Sequence, residues 1–180
     1  MKLKAKKKLR EQKLDLLVGS PMCTMYSAFQ RLNKDKDIQA YRRKFRAARF
    51  HLIFVCEFYL DQHRDGRLFL HEHPDGASSW DETCIQDVLA KVGVGTTVTD
   101  QCQFEQRSRE GHPLKKPTRW MSNCPEILAA LTRRCTSRGG VCSATGTPHQ
   151  TCSGRAAREA AIYPFAMCGA ILEGLSLIHI

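Results

Sequence analysis

The chain has 180 residues and a mass of 20.4 kDa, with 42% hydrophobic and 26% charged residues. That is enough for one ordinary domain with a real core, and it excludes wholesale disorder and collagen-like or low-complexity chains. Lys and Arg outnumber Asp and Glu by 28 to 18, a formal charge of +10, and much of the excess sits in residues 1–13. That segment is too lysine-broken for the apolar part of a signal peptide, and no apolar run approaches the roughly 18 residues of a membrane span. The expectation is an intracellular protein, nuclear or cytoplasmic, with no membrane partner.

Residues 1–13 carry Lys2, Lys4, Lys6, Lys7, Lys8, Arg10 and Lys13. They read as a basic helix or arm: a nuclear address, a phosphate-binding arm, or simply a solvated helix face. Residues 14–18 are a short apolar run ended by Gly19-Ser20-Pro21, the pattern of a central strand buried on both faces of a parallel sheet. From Ile38 the apolar positions Tyr41, Phe45, Ala48, Leu52, Val55 and Tyr59 step by three and four, which predicts a long amphipathic helix ending near Asp65-Gly66 with arginines on its opposite face. Leu68-Phe69-Leu70 predicts a second buried strand, stopped by Pro74. Asp81 is expected to cap a helix running to about Val92, and residues 96–99 give a third strand.

This alternation predicts the α/β class, with right-handed crossovers and a parallel, doubly wound sheet. Beyond Asp100 the pattern loosens into a polar, hairpin-like region reaching Trp120 and a short helix over 125–134. Residues 136–158, rich in Gly, Ser, Thr and Arg, are expected to form a mobile loop. The segment 159–175 holds a final helix that follows Tyr163-Pro164, and 176–180 reads as a reading-frame scar. Nine cysteines are an odd number without a C-x-x-C pair, so neither a disulfide framework nor a zinc ribbon is signalled. Cys135, Cys142, His149 and Cys152 have the ligand types for zinc, but their irregular spacing in a loop-like stretch assigns no metal to them.

In an open α/β sheet, ligands sit outside the carboxyl ends of the strands. One loop there, Gly19-Ser20-Pro21-Met22-Cys23-Thr24, delivers a cysteine on a proline-stiffened turn. A helix expected from about Tyr26 would favour its thiolate. The other, His71-Glu72-His73-Pro74, presents a carboxyl group flanked by imidazoles. On adjacent parallel strands the two loops would be neighbours, and a thiol beside a proton-transferring carboxyl suits covalent catalysis on an electron-poor ring or an acyl group. An inert loop cysteine and a capping or salt-bridging carboxylate are the plain alternatives. Two other functional readings stand beside these: a cysteine hydrolase using His71 or His73 as base, and a non-catalytic module binding nucleic acid through the N-terminal lysines and Arg42, Arg43, Arg46 and Arg49.

Leu14-Asp15-Leu16-Leu17-Val18-Gly19-Ser20-Pro21-Met22-Cys23 resembles the motif of cytosine-5 DNA methyltransferases in which an Asp-containing strand leads into Gly-Gly-Pro-Pro-Cys, with Ser20 for a Gly and Met22 for a Pro. Gly66-Arg67-Leu68-Phe69-Leu70-His71-Glu72-His73-Pro74 resembles that family's next motif, a strand ending in Glu-Asn-Val. The Glu is retained, and His73 and Pro74 replace Asn and Val. Tyr163-Pro164-Phe165-Ala166-Met167-Cys168-Gly169-Ala170-Ile171-Leu172 is similar to the family's last helix, which a proline precedes. With Asp100-Gln101-Cys102-Gln103-Phe104 and Lys115-Lys116-Pro117-Thr118-Arg119-Trp120-Met121-Ser122-Asn123, the run over about 14–175 resembles methyltransferase-like segments of copia-type retroelement polyproteins.

The resemblance implies a sheet of class I methyltransferase type, present as a catalytic half over 14–135. It implies that Cys23 attacks carbon 6 of a flipped-out cytosine and that Glu72 engages ring nitrogen 3. It also implies S-adenosylmethionine as methyl donor near Pro21, with DNA and the remainder of a polyprotein as partners. Arg107 and Arg109 fall near the family's Gln-x-Arg-x-Arg strand, and Lys116, Thr118, Arg119 and Asn123 would line the DNA channel, Lys and Arg on phosphate. A solvated loop is the alternative for each of these. The family's glycine-rich donor loop and acidic ribose partner do not precede Cys23, and Gly93-Val94-Gly95 follows the Glu72 loop. The expectation is a catalytic half that does not turn over alone.

Overall fold

The computed structural model describes residues 2–27, 30 and 37–178. It divides into two compact units, Met1–Gly95 with Met121–Cys124 and Thr96–Trp120 with Pro125–Ile180. In the first unit, helix α1 (Lys2–Gln12) precedes strand β1 (Leu16–Gly19), the long helix α2 (Ile38–Arg64), strand β2 (Leu68–Pro74) and the short helix α3 (Thr83–Leu89). Asp37 starts α2 by accepting a hydrogen bond from the Ala40 amide at 2.9 Å. The helix stops at Asp65 because Gly66 turns the chain at φ +67°, a conformation open to glycine. Its inward stripe, including Ala48, Leu52, Cys56 and Tyr59, buries against Phe69, Trp80, Ile85 and Val88.

β1 and β2 pair in parallel, Leu16 opposite Leu68 through Gly19 opposite His71, with α2 as the crossover. Gln62, buried near the end of α2, fixes the start of both strands. Its amide donates to the carbonyls of Leu14 and Leu68, each at 2.9 Å, and its oxygen accepts from Arg67 at 2.8 Å. The end of strand β4 (Pro117–Ser122) joins this unit, where Asn123 clamps β2. Its side chain accepts from the Phe69 amide and donates to the Arg67 carbonyl, both at 2.9 Å.

In the second unit, strand β3 (Gly95–Asp100) and the start of β4 are followed by helices α4 (Pro125–Ala130), α5 (Gly154–Glu159) and α6 (Phe165–Ser176). Trp120 is fully buried, edge-on to Tyr163 with ring centroids 5.5 Å apart. α6 lies so close on α4 that a Cβ at Gly174 would fall 2.7 Å from the Ile127 Cα. Asp100, fully buried, accepts from the Cys135 amide at 2.8 Å and from the Arg134 guanidinium at 3.1 Å.

The α/β class holds, as a mixed fold whose described residues form a four-stranded, partly parallel sheet ordered β1-β2-β4-β3. The sheet is mixed rather than the wholly parallel one expected, and β4 lies between β2 and β3. The sequence hides that strand: a proline opens it, and Thr118, Trp120, Met121 and Ser122 are all buried, so no alternation marks it. β1 is an edge strand rather than a central one among the described residues, with Val18 48% exposed. A turn over Ser78–Asp81 comes before α3, so Asp81 does not cap the helix; Glu82 holds that position and Val92 lies beyond the helix, exposed. The 136–158 stretch carries a short turn at Arg138–Gly140, a bridge between Val141 and Pro148, and α5. No helix of the described residues is long and apolar enough to cross a membrane.

Candidate functional site

The parallel pairing brings the carboxyl ends of β1 and β2 side by side in the first unit, and two hydrogen bonds lock the loops that leave them. The Ser20 hydroxyl donates to Glu72 Oε2 at 2.5 Å. His73 Nε2 lies 2.9 Å from the Pro21 carbonyl, which can only accept, so this nitrogen carries the proton. A neutral His73 then accepts at Nδ1 from the Ser79 hydroxyl, 2.6 Å away. Glu72 is buried, as is Pro21, whereas Ser20 is exposed. Cys23, two residues beyond Pro21, is half-buried.

Cys23 precedes a 3-10 turn, Thr24–Tyr26, at the start of the helix expected from about Tyr26. The continuation of that expected helix falls largely outside the described residues. Beneath the two loops, Tyr59 OH lies 3.0 Å from His71 Nδ1, and the ring of His71 packs edge-on to Trp80. Burial, and secondarily the neighbouring His73, pushes the His71 pKa well below its ordinary 6.5, so this imidazole is neutral at physiological pH. His71 Nε2 is buried without a hydrogen-bond partner among the described residues. His73, with both ring nitrogens bonded, is a strut between the loops rather than a base ready to take a thiol proton.

The expected nucleic-acid contacts separate into exposed and internal groups. Arg107 and Arg109 are exposed, and Arg107 donates to the Gly111 carbonyl at 3.2 Å. Arg119 is half-buried. Lys116 reaches the Ala160 carbonyl at 3.0 Å, and Thr118 is fully buried, accepting from Gln101 at 3.0 Å. Asn123 holds β2, as described above. Internal bonds thus engage Lys116, Thr118 and Asn123, of which Thr118 is fully buried while Lys116 and Asn123 are partly exposed. On α2, Arg42, Arg43 and Arg46 are exposed around Phe50, itself 58% exposed, and line a shallow open depression. Arg49 instead pairs with Glu82 at 2.8 Å.

Sequence reasoning missed Ser20 as the partner of Glu72; the one signal was that it stands where the family pattern has a glycine. It also missed Cys102. In the second unit, Cys102, Cys135, Cys142 and His149 converge so that their ligand atoms all lie within 4.8 Å of one another. Cys152, the fourth member read from the sequence, packs instead with Leu114, Ala156 and Ala160.

The residues present do not fit S-adenosylmethionine. Helix α1 precedes β1, the Pro21 carbonyl is held by His73, and the Gly93-Val94-Gly95 turn leads from α3 into β3 rather than from a strand into a helix. Among the described residues no glycine-rich strand-to-helix turn with an acidic ribose partner forms. Comparison with protein-family models, with curated proteins and with solved structures finds no match to this chain.

Proposed function

We propose that this chain is the base-engaging half of a cytosine-5 methyltransferase-like fold of retroelement type, acting on a nucleic-acid cytosine through Cys23 and Glu72 without completing methyl transfer by itself. The observation that supports this most is the Ser20–Glu72 hydrogen bond, which ties the loop bearing the thiol to the strand bearing the carboxyl group. The base must leave the helical stack to reach such groups. The Cys23 thiolate then forms a bond to carbon 6 and breaks the carbon 5–carbon 6 double bond. Glu72, as the acid, hydrogen-bonds or protonates nitrogen 3, and carbon 5 takes a proton from water. Reversal removes a proton from carbon 5 and expels the thiolate, so the net result without a donor is exchange of the carbon 5 hydrogen.

Arg42, Arg43 and Arg46, exposed together on α2, suit a nucleic-acid backbone, with guanidiniums on phosphate. β1, an edge strand among the described residues, is where further polyprotein chain would add to the sheet. A purely binding role resting on that arginine face is the second reading.

Incubation of a cytosine-containing single strand with the full chain in deuterated water separates the two. The expected result is deuterium at carbon 5, abolished in Cys23→Ser and strongly reduced in Glu72→Gln. Absence of exchange, together with salt-sensitive DNA binding that Cys23→Ser leaves unchanged, overturns the catalytic reading in favour of the binding one.

A further inference from the structure

Three cysteines and a histidine from distant parts of the sequence meet in the second unit, and their immediate surroundings are those of metal-bound ligands. Cys102 sits in the turn that follows β3, Cys135 just beyond α4, and Cys142 and His149 on either side of the Val141–Pro148 bridge. Tetrahedral zinc with Zn–S bonds near 2.3 Å places its sulfurs about 3.8 Å apart. Here Cys135 Sγ is 3.6 Å from His149 Nε2, and all four ligand atoms fall within 4.8 Å. A contraction of a few tenths of an ångström to about one ångström encloses a single ion.

The outer contacts point the same way. His149 Nδ1 lies 2.9 Å from the Gly140 carbonyl, an acceptor only, so the proton resides on Nδ1 and the Nε2 lone pair faces the three sulfurs. The Gln103 amide nitrogen reaches both Cys102 Sγ and Cys142 Sγ at 3.7 Å, and the Ser143 amide donates to Cys135 Sγ at 3.4 Å. Donors aimed at sulfur stabilise thiolates. The three cysteines are buried and none is in a disulfide. Asp100 adds a brace by holding the Cys135 amide beside the segment that carries Cys102.

We propose that Cys102, Cys135, Cys142 and His149 bind one Zn2+ as a closed structural site that orders the second unit. Four protein ligands leave no open position, so the ion acts as a staple and not as a Lewis acid for chemistry. Sulfur and imidazole donors in this ratio select zinc over magnesium or calcium. The Gly- and Ser-rich segment between Cys135 and His149 has little apolar surface of its own, and the ion supplies the fixed point around which it folds.

The test uses the full chain purified from zinc-supplemented expression, with metal content and Co2+ replacement as readouts, neither of which depends on activity. One equivalent of zinc is expected, and the Co2+ form should show the intense ligand-field bands and thiolate charge transfer of a tetrahedral site with three sulfur ligands and one nitrogen ligand. Cys142→Ala and Cys102→Ala should lose the metal, and Cys152→Ala and Cys168→Ala should keep it. His149→Cys should keep it with stronger charge transfer, a readout that survives even if the alanine variants fail to fold. Zinc well below one equivalent, a disulfide among the three cysteines in unreduced peptide maps, an iron–sulfur chromophore, or metal lost in Cys152→Ala but kept in Cys142→Ala would each overturn the assignment.

Discussion

Gly174→Ala should destabilise the second unit by about 3 kcal/mol, the upper end for overpacking a core, whereas Gly169→Ala in the same helix should stabilise it by roughly 0.5–1 kcal/mol. Both glycines lie in α6, where alanine is intrinsically the better residue, so only their surroundings differ. A Cβ at position 174 would meet backbone: Ile127 Cα at 2.7 Å, the Glu126 carbonyl at 2.9 Å and the Ile127 amide nitrogen at 3.0 Å. Backbone cannot turn aside as a side chain can, so α4 and α6 must separate. A Cβ at position 169 meets nothing within 4 Å. Urea unfolding of the two variants checks the pair, and an unchanged midpoint for Gly174→Ala would show that the helices are not held this closely.

Gly19→Ala should cost the first unit about 2–3 kcal/mol and abolish carbon 5 exchange with it. A Cβ there overlaps the Tyr59 hydroxyl and comes within 2.9 Å of the ring carbon that bears it. Tyr59 has nowhere to go: it is fully buried, stacked on Phe69 with centroids 4.8 Å apart, and bonded to His71. Strain is therefore relieved by moving the end of β1, which carries Ser20 and Pro21 away from Glu72 and His73. In a Tyr59→Phe background the penalty should shrink, since the worst overlap is with the hydroxyl. A double-mutant cycle on unfolding free energies reads this as a positive coupling between positions 19 and 59. Additive effects would mean that the glycine is not required by this contact.

Legibility in the sequence depends on whether the deciding interaction is local. The 27-residue helix α2 is legible from its apolar stripe and its Asp65-Gly66 end, and β1 and β2 from short apolar runs closed by Gly or Pro. Strand β4 is not, because its period is erased when both faces are buried, and its position between β2 and β3 depends on pairing partners remote in sequence. The same division runs through the sites. The proximity of the Cys23 and Glu72 loops follows from two adjacent parallel strands, but the Ser20 hydroxyl that joins them replaces a residue with no side chain. The metal ligands show it most clearly. Cys135, Cys142, His149 and Cys152 have the right ligand types, but their irregular spacing in the sequence assigns them no metal. The fold instead recruits Cys102 from the far side of β4, a choice no spacing rule contains. The internal bonds of Thr118 and Asn123 are hidden for the converse reason: polar residues beside basic ones look like surface until the strand beside them is placed.

Whether Cys23 and Glu72 work on one pyrimidine ring is read most directly by covalent capture with a DNA strand carrying 5-azacytosine. Ring position 5 is nitrogen in that base, so the proton taken up on thiolate addition to carbon 6 leaves an adduct that can be isolated without any methyl donor. A DNA-linked species on a denaturing gel is expected, with a modified peptide that contains Cys23, absent in Cys23→Ser and slowed in Glu72→Gln. No adduct, or one mapped to a cysteine other than Cys23, would contradict the joint role of these two residues.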